Sequence, residues 1–240
     1  MPNISQLDGW NHESSSSSYC ERYYDVLSKN KWTDMFPIKY LSNPNEILEI
    51  GGGSQYLSRF LENLFPNASI TCTDFAKNRI EDFNLFYSSI NQASNIKTVG
   101  GINAESLPYD SGKYDLICGD AMLHHVEDIR SCLLEINRCL KPNGIAIFVR
   151  EPSSGLREYL KLQMLYILSN ASNIKNGLLN HLYANRWEYN KTLLQWYLEF
   201  NYTGFTVSRK PGWYFLKKRL QSYFPFYHSC LNVFILRKVV

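Results

Sequence analysis

The sequence predicts an α/β fold: a doubly wound seven-stranded sheet, mostly parallel, with an antiparallel C-terminal strand and a helical cap. Three observations predict it. Apolar runs of strand length alternate with segments of helical period between about residues 46 and 152, which calls for parallel pairing through right-handed crossovers. Three consecutive glycines, Gly51, Gly52 and Gly53, lie between the first such run and the first helical segment. Two further strand-like runs close the chain, after a stretch dense in aromatic residues.

The elements follow in order. The serine run Ser14 to Ser18 reads as a flexible lead-in. "YCERYYDVLSKNKW" has helical character and carries Tyr19, Tyr23 and Tyr24. "NEILEI" is a buried strand, and the helix after the glycines, "SQYLSRFLENLF", sets Tyr56, Leu57, Phe60, Leu61 and Leu64 on one apolar face. "ASITCTD", "NIKTVG", "KYDLICG" and "GIAIFVRE" are the next four strands, with helices over "AKNRIEDFNLFYSSI" and "EDIRSCLLEINRCL". Helical patches at about 156–169 and 186–200 precede "GFTVSRK" and "LNVFILRK", two strands close enough in sequence to pair antiparallel. The chain reads as one domain: an N-terminal lid segment 1–45, a core 46–152, a helical substrate cap 153–203 and a strand pair 204–240.

Composition narrows the function. With 240 residues and 45% hydrophobic content, the chain can bury one sizeable core. A net charge of +3, and no basic block longer than Lys217-Lys218-Arg219, argue against a nucleic-acid partner. No apolar run reaches bilayer length, and the first residues lack a secretory pattern, so a cytoplasmic protein without a membrane span is expected. The six cysteines form no CxxC pair and no metal-ligand spacing, so free buried thiols and no metal are expected.

Glycines at the tip of a first strand let a ligand approach the backbone next to the open N–H groups of a helix. The dinucleotide pattern G-x-G-x-x-G is incomplete, because Tyr56 stands at its third glycine. Glu49 lies two positions before Gly51. Asp74 ends the second strand, where a carboxylate can take both hydroxyls of a ribose or cap the next helix.

Five ordered pieces then carry a resemblance: "ILEIGGGSQ", "TCTDF", "INAESLPYDSGKYDLI", "AMLHHVED" and "LKPNGIAIFVREP". Together, over about residues 46 to 152, the chain resembles the Rossmann-like class I S-adenosylmethionine-dependent methyltransferases. The small-molecule group that includes the ubiquinone and menaquinone enzymes is the nearest in pattern. The resemblance implies S-adenosylmethionine as cofactor, S-adenosylhomocysteine as product and no metal. It implies that Glu49 and the backbone of Gly51, Gly52 and Gly53 hold the amino-acid end, that Asp74 holds the ribose and that Phe75 lies on the adenine. Asn103 and Ala104 would meet the adenine edge, with Asn103 where the family usually has Asp. Gln55 replaces a frequent third glycine. Tyr23, with Tyr19 and Tyr24, would belong to a lid over the cofactor or to an aromatic face packed on the core.

In this topology Cys118, Gly119, Asp120, His124, His125, Arg150 and Glu151 fall on the rim around the methyl group, Cys118 and Gly119 on the cofactor side. His124, His125 and Glu151 are the candidates for handling an acceptor proton, since imidazole titrates near neutral pH. Either histidine could instead pack the turn, and Glu151 could pair with Arg150 or another cation. The expected partner is a small, aromatic or apolar metabolite methylated on O, N or C, and the expected assembly is a monomer or homodimer. A nucleic-acid or protein methyltransferase, or a protein with this fold and no methyl transfer, is the alternative. "CGDAML" after the fourth strand lacks the Pro-Pro-aromatic or Pro-Cys signature of base methylation.

Overall fold

The computed structural model describes residues 36–92, 94–153, 191–211 and 230–239, with Cys20, Glu21 and Tyr24 ahead of them. The strands are β1 (Glu46–Ile50), β2 (Ser69–Asp74), β3 (Lys97–Gly100), β4 (Tyr114–Asp120), β5 (Leu140–Ser153), β6 (Phe205–Pro211) and β7 (Cys230–Lys238). They form one sheet in the order β3-β2-β1-β4-β5-β7-β6. β1 to β5 pair in parallel, and β7 runs antiparallel to both β5 and β6. The sheet is therefore the doubly wound, mostly parallel one expected, with β7 as the reversed strand.

The crossover helices are α1 (Tyr56–Leu64), α2 (Lys77–Ser89) and α3 (Ile129–Cys139), and α4 (Leu193–Tyr202) precedes β6. Central strands buried on both faces need apolar residues on both, as β1 and β4 have. Ile47, Leu116, Cys118, Ile145 and Ile147 pack with Leu57 and Leu61 of α1. Leu48, Ile117, Ala146 and Phe148 pack with Leu133 and Ile136 of α3 and Trp196 and Phe200 of α4. Each Leu, Ile or Phe among them contributes about 1.5–3 kcal/mol of burial.

Local signals fix the helix ends that matter here. Asp128 caps α3 by accepting the N–H groups of Arg130 and Ser131, and Thr192 with Gln195 forms a capping box on α4. Trp196 Nε1 donates to Pro152 O at 3.0 Å and ties α4 to the end of β5. β5 starts earlier than the predicted "GIAIFVRE". Tyr114 pairs with Leu140 and Leu116 with Ile145, so the residues between form an irregularity in the ladder with Asn143 at φ +65.

The predicted helical patch at 156–169, the start of the patch at 186–200, and Tyr19 and Tyr23 lie outside the described residues. Among the described residues no helix is long and apolar enough to cross a membrane.

Candidate active site

β1 is flanked by β2 on one side and β4 on the other, so the winding of the sheet reverses there. Open α/β sheets bind ligands at this reversal, beyond the carboxyl ends of the strands. The ends of β1, β2, β4 and β5 bring Gly51, Asp74, Asp120 and Glu151 to this side.

The glycine loop is pressed onto its own floor. Gly51 has φ +70, and a Cβ there would stand 2.8 Å from Met122 Cβ. A Cβ on Gly52 would lie 2.6 Å from Cys72 Sγ and 2.7 Å from Glu49 Oε2. The protein's own atoms thus exclude side chains from this loop, before any ligand is considered. Gly52 N–H donates to Thr73 O at 2.8 Å, and Gln55 N–H to Gly52 O at 2.6 Å. Gln55 adopts φ +57 at the entry to α1, the left-handed region that a glycine would occupy at least cost. Its Nε2 donates to Asn84 Oδ1 at 2.6 Å, which holds the larger residue there.

Two acids bracket the loop. Asp74 Oδ2 accepts the Gly53 N–H at 2.8 Å and Oδ1 the Ala76 N–H at 2.7 Å, so the acid closes the turn ahead of α2 and fastens β2 to the loop. Burial pushes its carboxyl up, against Arg79 and the two N–H groups. Glu49 sits lower, 2% exposed, and its Oε2 accepts both the N–H of Ser58, at 2.9 Å, and the Ser58 hydroxyl. Burial pushes the Glu49 carboxyl up to about 7, against the Ser58 hydrogen bond.

The other expected cofactor residues are spread around this pair. Phe75 is half-buried immediately after Asp74. Asn103 Oδ1 accepts the Glu105 N–H at 2.9 Å, and so shapes the loop after β3. Ala104 is packed into the α3 side of the core. Gly119 lies where a Cβ would meet Met122 Cγ at 2.6 Å and Ile50 O at 3.0 Å. Cys118 is fully buried in the layer under α1, with its thiol pushed well up by burial. Tyr24 packs against Tyr56, Phe86 and Tyr87, and its hydroxyl accepts from Gln92 Nε2 at 3.1 Å.

On the acceptor side, the charges pair differently from the simplest expectation. Arg150 reaches Asp120 rather than Glu151, with Nε donating to Oδ1 at 2.6 Å and a second bond from Nη2 to Oδ2. Opposite β7 the ladder slips here. Phe148 pairs with Phe234 and Glu151 with Asn232, three steps against two, and the extra residue lets Arg150 adopt φ +56.

Glu151 is fully buried and accepts the N–H groups of Met122 and Leu123 at 2.8 Å each and of His124 at 3.2 Å. His124 Nδ1 lies 2.8 Å from its Oε2. Burial alone would raise the Glu151 carboxyl, but the His124 hydrogen bond and charge outweigh it and hold it below the usual carboxylate range. An ionised acceptor requires Nδ1 to carry the proton, so in the neutral form of the ring the imidazole lone pair is on Nε2. His124 and His125 are tilted neighbours with ring centroids 4.1 Å apart.

Ser58, Asn84 and Asn232 escaped sequence reasoning. Ser58 looked like one polar position on an amphipathic helix. Asn232 donates to Glu151 O and Ser153 Oγ at 3.0 Å each, a pairing 81 residues apart that no local spacing signals. Among the described residues no cluster of three or more His, Cys, Asp or Glu could hold a metal ion.

Comparison with known proteins agrees with this geometry. Residues 48–148 match the family model described as a methyltransferase domain. The chain is 26% identical over 125 residues to the malonyl-[acyl-carrier protein] O-methyltransferase of Hahella chejuensis, covering 50% of this chain and 43% of that one. It is 23% identical over 130 residues to the ubiquinone/menaquinone biosynthesis C-methyltransferase UbiE of Desulfotalea psychrophila, covering 50% of each. The chain thus spans half or less of the length of these relatives. In structure it matches phosphoethanolamine N-methyltransferase 2 of Haemonchus contortus with a TM-score of 0.70 and 15% identity, covering 100% of this chain and 61% of that one. Motifs, sheet order and family match converge on residues 48–148 as a methyltransferase domain with the class I, S-adenosylmethionine-dependent pattern.

Proposed function

We propose that the chain transfers a methyl group from S-adenosylmethionine to a small acceptor with an aromatic or apolar body, at an O, N or C atom. The observation that carries this is the hydrogen bond from Gly53 to Asp74. It joins the loop at the end of β1 to the acid at the end of β2, one strand away from the Glu151–His124 pair served by β4 and β5.

The residues fit the cofactor. A loop without side chains presses on Glu49 and Asp74, and each Asp74 oxygen spends one lone pair on a backbone N–H and keeps another for a ribose hydroxyl. Gly51 to Gly53 with Glu49 would hold the amino-acid end, Asp74 the ribose, and Phe75, Asn103 and Ala104 the adenine. When bound, S-adenosylmethionine supplies an electrophilic methyl on its sulfonium, so the protein's task is alignment and removal of a proton. His124 would take that proton at Nε2, and Glu151 would stabilise the imidazolium through Nδ1. The Asp120–Arg150 pair fixes the floor between the two strands. A lid role for Tyr23 and a substrate cap over 153–203 complete this reading.

The test is calorimetric titration with S-adenosylmethionine and S-adenosylhomocysteine, followed by an acceptor screen read by mass for the gain of one methyl. A folded protein that binds neither compound sinks the reading. One that binds both and methylates only protein or nucleic acid overturns the acceptor class.

A further inference from the structure

Glu49 lies beneath the glycine loop, not on its rim. It is in register with Cys72 of β2 and Cys118 of β4, and in-register neighbours on parallel strands share a face. That face is covered by α1, whose Leu57 and Leu61 pack in the layer of Ile47 and Cys118. Ser58, fully buried in the first turn of α1, aims both its N–H and its hydroxyl at one Glu49 oxygen. From above, Gly52 closes on the same oxygen. The carboxyl is thus clamped between the loop and the helix, in a layer of thiols and hydrocarbon.

The titratable groups that face it from the packed elements are Cys72 on β2, Cys118 and Asp120 on β4, and Tyr87 on α2. These are thiols, an acid and a phenol, and the cation beside them, Arg59 of α1, stacks on the Tyr87 ring 3.4 Å from its centroid rather than pairing with Glu49. An amino-acid ligand lying along Gly51 to Gly53 brings an ammonium group to the same loop.

We propose that burial in this layer holds Glu49 as a protonated carboxyl in the ligand-free site, that Ser58 is a positioning residue whose two donors favour its ionised form, and that Glu49 gives up its proton to solvent when the ammonium group of an amino-acid ligand occupies the glycine loop. The proposal rests on the cofactor reading above. No bond other than the carboxyl O–H breaks, and the ligand ammonium stays charged below about pH 7.7. The raised Glu49 carboxyl supports it, since a group pushed up to about 7 is largely protonated at pH 6. The sign follows: affinity for the ligand falls as pH drops below about 7, by up to about tenfold per pH unit, and is greatest from there to about pH 7.7, where the ligand ammonium begins to lose its own proton.

The experiment is titration of the ligand-free and loaded protein with S-adenosylhomocysteine in buffers of different ionisation enthalpy, between about pH 5.5 and 7.5. Carboxyl carbon NMR of Glu49 in the ligand-free protein accompanies it. The expected result is release approaching one proton per site near the acid end, lost in Glu49→Gln. In Ser58→Ala the Glu49 midpoint moves to higher pH, and Ser58→Thr restores it. Tight binding without proton release, or a Glu49 midpoint that Ser58→Ala leaves in place, overturns the proposal. No binding at any pH, with Glu49 still titrating near neutrality, overturns the cofactor reading and the ligand-coupled release with it.

Discussion

Glu151 holds His124 twice, accepting its ring Nδ1 at 2.8 Å and its backbone N–H at 3.2 Å. The carboxylate is at once the anchor of the turn Leu123–His125 and the orienting partner of an imidazole. Its loss is therefore both a folding and a chemical event.

Glu151→Ala leaves the N–H groups of Met122, Leu123 and His124 buried without their acceptor, and a cost of about 3–5 kcal/mol is expected in denaturant unfolding. The same carboxyl makes stability depend on pH. Its folded value is depressed, so its contribution is present above the unfolded carboxylate range, about pH 4.3, and is lost as pH falls through the folded value. Glu151→Gln should flatten the acid limb of the stability curve. An unchanged acid limb would remove Glu151 from this role.

Turnover separates anchoring from chemistry. His124→Ala is expected to slow single-turnover methyl transfer by about 10²–10⁴-fold for an acceptor that must lose a proton, with S-adenosylhomocysteine affinity nearly unchanged. His125→Ala, with the half-buried ring, should cost less. Equal rates and pH profiles in wild type and His124→Ala would assign proton removal to solvent or substrate.

Asp74 ties the loop to β2 through two backbone N–H groups. Asp74→Ala should destabilise the fold by about 2 kcal/mol or more and weaken S-adenosylhomocysteine binding at least about tenfold. Thermal unfolding and calorimetry read the two effects apart. Full affinity in the folded variant would exclude Asp74 from the ribose.

Gln55 stands in the left-handed region at φ +57. Gln55→Gly relieves about 1–2 kcal/mol of backbone strain and loses one hydrogen bond to Asn84 worth about 1 kcal/mol, so stability should stay within about 1 kcal/mol of wild type. Gln55→Val, with a branched Cβ in that region, should cost more than about 2 kcal/mol. Equal unfolding midpoints for the two variants would show that the backbone there relaxes.

Much of the fold was legible because its signals are local. β1 and β4 are short runs rich in apolar residues, β2 is a run rich in β-branched ones, and α1 and α3 bury one side of a 3.6-residue pattern. The periods of 3.6 and 2 residues are properties of the backbone, so they survive in one dimension. The order of Gly51, Asp74 and Glu151 along the chain likewise assigned them to strand ends, and that of His124 to the turn after β4.

What those residues do to one another was not legible. Sequence alone left Arg150 as a partner for Glu151, and the slip of β5 against β7 sent it to Asp120 instead. Sequence placed Glu49 at a ligand, and packing of α1 gave it Ser58. It read the three glycines as room for a ligand, whereas Met122, Glu49, Cys72 and Asp74 already crowd the loop. The sequence by itself determined the winding of the sheet and most of its described strands and helices, because hydrophobic period and turn chemistry act over a few positions. The tertiary structure decided the burial of Glu49 beside Ser58, the contact of His124 with Glu151 and the pairing of Arg150, because burial and hydrogen-bond partners come from elements far apart in the chain and packed against one another.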